Sequence, residues 1–235
     1  MDLQEVMAEL KALGTERTKK IYQSHGAKEP LFGVTTGAMK PLARKIKKDY
    51  ALSMALYDTG NYDAAYFAGM IAEPQKMSQE DFEVWIQGAY FYMLSDYVAA
   101  VTLAETDFAQ EVADRWIESD EELRVSAGWS CYCWLLGTRD DSWFDHEKLA
   151  AMLIRAGKTI HSQPNRVRYA MNNFVIAAGI SYLPLHTEAV RIAEQIGSVS
   201  VNMGTTSCKT PNALQSIQKA ESKGRLGFKR KNVRC

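Results

Sequence analysis

The first group in this chain that could do chemistry is a single acid set among aromatic rings. In WIQGAYFYMLSDYVAAV, Trp85, Tyr90, Phe91, Tyr92 and Tyr97 flank Asp96, and a continuous helix would bring Tyr92 and Asp96 to one face at i, i+4. A carboxylate beside electron-rich rings can stabilise a bound cation or a developing oxocarbenium charge. On the competing reading Asp96 is a helix N-cap just after Leu94 and the rings are core.

A second constellation lies in residues 164–180, PNRVRYAMNNFVIAAGI. Val167, Ala170, Met171, Phe174, Val175 and Ala178 repeat at helical spacing and predict an inward face, with Pro164 in the first turn and Gly179 closing the run. The flank beside that face carries Arg166, Tyr169 and Asn173, a cation, a hydroxyl and an amide suited to a polar ligand. The alternative is a solvated flank with Tyr169 half-buried.

Cations supply the third. Lys40, Arg44, Lys47 and Lys48 form a stripe at i, i+4, i+7, i+8 on a helix running from about Gly37 or Pro41 to Lys48, opposite Met39, Leu42, Ala43 and Ile46. No acid interleaves with them, so the stripe is either a solvated face or a row of phosphate contacts. In the C-terminal block, Gly204, Thr205, Thr206, Ser207 and Lys209 offer N–H groups, hydroxyls and an ammonium near the start of a helix at 211–223, where an anion is favoured. Arg225, Lys229, Arg230, Lys231 and Arg234 follow, with Phe228 among them, as phosphodiester contacts or a disordered basic tail.

A formal net charge of zero conceals this segregation. Residues 51–150 hold 5 basic against 19 acidic side chains, while 1–50 hold 10 against 6, 151–204 hold 5 against 2, and 205–235 hold 8 against 1. A polyanion-binding surface built from the chain ends fits that distribution. Cys131 and Cys133 point about 200° apart on an apolar helix and read as core thiols. With Cys208 and Cys235 they make no disulfide framework, and His25, His146, His161 and His186 share no metal spacing. No metal and no cofactor are expected. There is no apolar run of membrane-spanning length and no basic leader, so the expected location is cytoplasmic, away from membrane.

These residues must be positioned by helices. Segments at 2–13, 15–24, 51–58, 62–73, 78–92, 95–105, 108–117, 121–136, 145–157 and 184–196 all read as helical, the 78–92 helix opening on a Ser78–Asp81 capping box. The 121–136 helix is apolar nearly all round and should be sandwiched between neighbours. Only 198–203, SVSVNM, hints at a β segment. Antiparallel pairs of roughly 40 residues have the period of an all-α superhelix, a HEAT/armadillo-like solenoid, with a compact orthogonal bundle as the competitor. Residues 1–235 are expected to form one such domain, ending in the basic segment 205–235.

With FGVTTGAMKPLARKI, YMLSDYV, WIESDEELRVSAGW, VRYAMNNFVIAAG and the ending GTTSCKTPNALQSIQKAESKGRLGFKRKNVRC in view, the chain resembles the DNA alkylation-repair family of AlkD-like HEAT-repeat proteins. The resemblance implies a concave basic face holding duplex DNA, alkylated or otherwise damaged. In active members it implies a glycosylase that releases cationic 3-alkyladenine or 7-alkylguanine without a metal. On that pattern Asp96 would be the acid and Tyr92 would stand in a tryptophan's place; in a shifted register, Ser95 and Ala99 would occupy those positions. A second family tryptophan falls on Asn173, and an arginine falls on Ser126, two residues from Arg124. DNA-contacting residues on this reading are Lys40, Arg44, Lys47, Lys48, Arg124, Arg166, Tyr169, Asn173, Lys209, Lys229, Arg230 and Lys231. The implied binding architecture survives better than the catalytic set. Recognition of damaged or branched DNA without excision is therefore a second expectation, and a scaffold for an acidic protein a third.

Overall fold

Short polar side chains set where most of the helices begin. The computed structural model describes residues 1–233; Arg234 of the basic tail and the fourth cysteine, Cys235, lie outside the described residues. The chain divides into two compact units, one of Met1–Thr106 with Met203–Ser207, the other of Asp107–Asn202 with the chain from Cys208 onward.

In the first unit, α1 (Leu3–Leu13) starts on a reciprocal cap: Asp2 accepts from the Glu5 N–H and the Glu5 carboxylate accepts from that of Asp2. Thr15 caps α2 (Glu16–Ser24), Thr35 caps α3 (Thr36–Ile46), Asp49 caps α4 (Tyr50–Asp58) and Asn61 caps α5 (Tyr62–Ile71). After a 3-10 turn at Pro74–Lys76, the expected Ser78–Asp81 box opens α6 (Gln79–Gly88). The unit then runs through α7 (Tyr92–Leu94), a π-helical turn (Ser95–Ala99) and α8 (Ala100–Leu103). Val6, Leu10, Leu56, Phe67, Phe82, Trp85 and Leu94 fill its core.

The helix expected from about Gly37 or Pro41 to Lys48 differs at its C-terminal end. It begins at Thr36, continues across Pro41, and stops at Ile46 because Lys47 adopts a φ of 70°. Lys47 and Lys48 therefore leave the helix, and the stripe at i, i+4, i+7, i+8 is broken after Arg44.

In the second unit, α9 (Ala109–Ile117) and α10 (Glu122–Leu136) form a hairpin, followed by α11 (His146–Thr159), α12 (Asn165–Ser181), α13 (His186–Ile196) and α14 (Ala213–Glu221). The apolar α10 is sandwiched between α9 and α12 as its composition demands. Trp129 and Tyr132 meet Phe174 edge-on, with ring centroids 5.1 and 6.3 Å apart. Gly128 lets α9 approach α10: a Cβ there would lie 2.8 Å from the Ala113 carbonyl oxygen.

The inward face expected for α12 is buried throughout. Gly179, however, does not close the helix, which runs on to Ser181. It is a contact point instead, since a Cβ would fall 2.6 Å from Ile217 Cδ1 of α14 and 3.2 Å from Ala189 Cβ of α13. Pro164 sits just before the first turn, and Asn212 rather than Pro211 caps α14. Residues 198–203 form no strand; Val199 is buried without one. The fold is an all-α HEAT-like solenoid built from helix hairpins. Among the described residues no helix is long and apolar enough to cross a membrane.

Candidate nucleic-acid interface

Asp96 lies inside the π-helical turn, so it is neither an N-cap nor one i, i+4 step from Tyr92 on a regular α-helix. Its carboxylate is 3% exposed and accepts a hydrogen bond from the Ser95 hydroxyl at 2.9 Å. Tyr92 is half-buried; its ring packs edge-on against Phe91, and its hydroxyl stands 3.5 Å from His25 Nδ1. The rings expected around Asp96 sort into two groups. Trp85 stacks on Tyr57 at 4.7 Å and meets Phe82 edge-on, whereas Phe91 and Tyr92 join Tyr62, Tyr22 and Tyr97. Tyr90 is drawn off to the Lys28 carbonyl.

Beside this cluster, Asp63 of α5 was not singled out by the sequence. Its buried carboxylate accepts the backbone N–H groups of Phe32, Gly33 and Val34 at 2.5, 2.9 and 2.7 Å, fixing the loop between α2 and α3. Tyr22 donates to the Val34 carbonyl at 2.8 Å, and burial pushes its phenol up to about 12, helped by the Asp63 charge. The loop in turn sets where α3 starts. On α3 and just beyond, Lys40, Arg44 and Lys47 are exposed, and among the described residues none of the three forms an ion pair. Lys48 is also exposed and donates to the Met70 carbonyl at 3.3 Å.

In the second unit, the first turn of α10 organises the start of α12. Pro164 offers no side-chain cap, and Glu122 accepts from the Arg166 N–H at 2.6 Å in its stead. Ser126 is buried and donates to the Arg166 carbonyl at 3.3 Å. Arg124 pairs with Glu121 at 3.1 Å. The Arg166 guanidinium lies 4.5 Å over the Tyr169 ring, and Asn173 is half-buried on the same flank. That flank is thus brought together as the spacing predicted, with Tyr169 half-buried.

The C-terminal block departs from an open anion cradle. Gly204, at φ 75°, sits against the Ser24 carbonyl, which also accepts the Thr205 N–H at 3.2 Å, so this N–H is occupied inside the first unit. Lys209 is exposed. Beyond α14 the tail is folded. The Gly227 N–H donates to the Ile180 carbonyl and the Arg230 N–H to that of Gly137, both at 2.8 Å. Lys229 donates to the Leu136 carbonyl at 2.9 Å and pairs with Asp141 at 2.8 Å, and Arg230 lies 5.0 Å over Trp134. Two cations thus meet the C-terminal end of α10, where the helix dipole favours them. Lys231 remains exposed.

Cys131 is a core thiol, its pKa raised by burial; Cys133 is only half-buried, which corrects the expectation of two core thiols. Among the described residues no group of three or more His, Cys, Asp or Glu side chains could hold a metal ion.

Fold and site together define a HEAT-like repeat protein with exposed cations. A family model described as DNA alkylation repair enzyme matches residues 6–210. The chain belongs to this DNA alkylation repair family. It is 33% identical over 220 residues to uncharacterized proteins of Listeria innocua and Listeria monocytogenes, covering 92% of this chain and 95% of each relative. It also matches a solved structure described as a new family of proteins related to the HEAT-like repeat DNA glycosylases with affinity for branched DNA structures. That match has 59% identity and a TM-score of 0.92 over 100% of both chains.

Proposed function

We propose that this protein recognises branched DNA and grips its phosphates without excising bases. The observation that carries the reading is the state of Asp96: a carboxylate 3% exposed and held by Ser95 is occupied within the protein, out of reach of a sugar. The similarity to a structure whose family has affinity for branched DNA supports it, as do Asn173 and Ser126 where the family resemblance led to expect tryptophan and arginine. Phosphate contacts need cations but no base-reading geometry, and Lys40, Arg44, Lys47, Lys48, Arg124, Arg166, Lys209 and Lys231 supply them. Tyr169 and Asn173, on the Arg166 flank, are placed to contact the sugars, while Lys229 is tied to α10 and holds the tail. On this reading each unit supplies phosphate contacts of its own, and the protein acts in the cytoplasm.

Binding of a four-way junction and of linear duplex of the same sequence, across a salt series, tests it. The junction should bind more tightly, and neutralising Lys40, Arg44 and Lys47 together should lower the log–log salt slope by about 2.7, at about 0.9 per phosphate contact. Equal affinity for the two DNAs, or tight binding only to an acidic protein, overturns the reading. Methylated duplex should yield no free purine. Release that falls about 10²-fold or more in Asp96→Asn would instead establish a glycosylase in which Asp96 stabilises the oxocarbenium-like sugar and Tyr92 contacts the sugar or base.

A further inference from the structure

The second unit carries a cavity that the phosphate-gripping surface does not use. It has a volume of about 440 Å³ and lies between α14, the end of α12 and the folded tail. Such a volume falls in the range of small-ligand sites, about 300–1,000 Å³. Its wall holds four cations, Lys219, Lys223, Arg225 and Arg230, and no carboxylate. Among the described residues, none of these four forms an ion pair. Like charges gathered on one wall repel one another, a cost that a bound anion removes.

The same wall carries Phe228, 64% exposed and in contact with no other ring among the described residues. Its exposure is imposed by the backbone on both sides. Gly227 adopts a φ of 73°, with its N–H on the Ile180 carbonyl, and the Arg230 N–H is on that of Gly137. A side chain at Gly227 would fall 3.0 Å from Leu183 Cδ1 in a conformation that L residues rarely adopt. An apolar ring held out to solvent beside cations that form no ion pair has the components of a stacking platform for a nucleotide: a π-face for the base and positive charge for its phosphate.

We propose that this cavity takes one unpaired nucleotide of a DNA single strand, the base lying on Phe228 and the phosphate among Lys219, Lys223, Arg225 and Arg230. A base inside a duplex has both faces covered by its neighbours and cannot lie on the ring; only an unstacked one can. The inference rests on the branched-DNA reading in that a branch point is where a strand departs from the duplex, and it deepens that reading by naming what lies at the second unit's tail.

The test uses the full-length protein with five probes: a junction bearing a single-stranded thymidine flap, the same junction without it, linear duplex, an eight-nucleotide thymidine strand and thymidine monophosphate. Binding is followed by fluorescence anisotropy. The flap should strengthen binding. Phe228→Ala should remove about tenfold of affinity for the flapped junction and the free strand, Phe228→Trp should keep it, and the flapless junction should bind the variants and wild type alike. Lys223→Gln with Arg225→Gln should lower the salt slope for the free strand by about 1.4, at about 0.7 per contact, whereas Phe228→Ala leaves that slope unchanged. A flap that gives no advantage, or an advantage that survives Phe228→Ala, overturns the proposal while leaving the branched-DNA reading standing. Wild type that prefers neither junction over linear duplex, yet binds the free strand in a Phe228-dependent way, overturns the branched-DNA reading and supports the cavity. Thymidine monophosphate bound as tightly as the strand overturns the strand as the occupant.

Discussion

Replacing Asp63 with alanine should destabilise the first unit by about 3–5 kcal/mol, the cost of removing one partner from a buried charged network. The carboxylate is fully buried on α5 and accepts three consecutive N–H groups, from Phe32, Gly33 and Val34. Hydrogen bonds to a charged acceptor contribute about 1.5–3 kcal/mol each, and desolvation of the carboxylate offsets part of the three together. Gly33 and Val34 are themselves buried, so water reaches their N–H groups only if the loop opens. At about 2–4 °C per kcal/mol for a chain of this size, Tm should fall by roughly 6–20 °C. Asp63→Asn retains one carbonyl oxygen but turns an NH2 group toward donors, and should lie between alanine and wild type. Urea unfolding gives the stability change, and amide exchange at Gly33 and Val34 localises it. A loss under about 1 kcal/mol with unchanged protection of those two amides would refute the stapling argument.

Gly128→Ala should cost about 1–3 kcal/mol in urea unfolding although alanine is the better helix former, because the new Cβ meets Ile117 Cγ1 at 2.7 Å and the Ala113 carbonyl oxygen at 2.8 Å. For Tyr22, the folded state holds the neutral phenol, so its contribution is complete below pH 10 and lost as pH rises through about 12. Tyr22→Phe should lose about 1 kcal/mol at neutral pH and decline less steeply between pH 10 and 12; an equally steep decline assigns the alkaline loss to Tyr57, Tyr62 and Tyr132, which burial also raises. Lys229→Met removes the ammonium from the Leu136 carbonyl and Asp141, and at about 1 kcal/mol for a half-buried pair should speed tryptic cleavage after Arg225 roughly fivefold.

What the sequence made legible is what neighbouring residues decide among themselves. The Ser78–Asp81 box, the end of α13 at Gly197 with a φ of 55°, and the inward face of α12 each need only a few consecutive side chains. Gly179 misled because a glycine wanted for close packing looks, in sequence, like one wanted for a helix end. Glycine at 204 likewise reads as an anion loop until Ser24 appears beneath it. At the candidate site, the Arg166–Tyr169–Asn173 flank followed from helical geometry alone. The π-helical turn at Asp96, the Glu122 carboxylate at the start of α12 and the Asp63 staple did not. Each joins the backbone of one segment to a partner or register set by tertiary packing, 44 residues away for Glu122 and 29–31 for Asp63, and leaves no local pattern.

The return of Met203–Ser207 to the first unit has a consequence for biosynthesis. Residues 1–106 leave the ribosome without a segment of their own structure, and at about 5–20 residues per second they wait roughly 5–20 s for it. The Ser24 carbonyl, which receives the Thr205 N–H, stays open to solvent or chaperone for that interval. A fragment cut at the boundary after Thr106 would preserve that unfinished state permanently, whereas one that ends after Ser207 has already released the whole middle of the chain. Nascent-chain length therefore sets the earliest moment at which the first unit can acquire its full set of contacts.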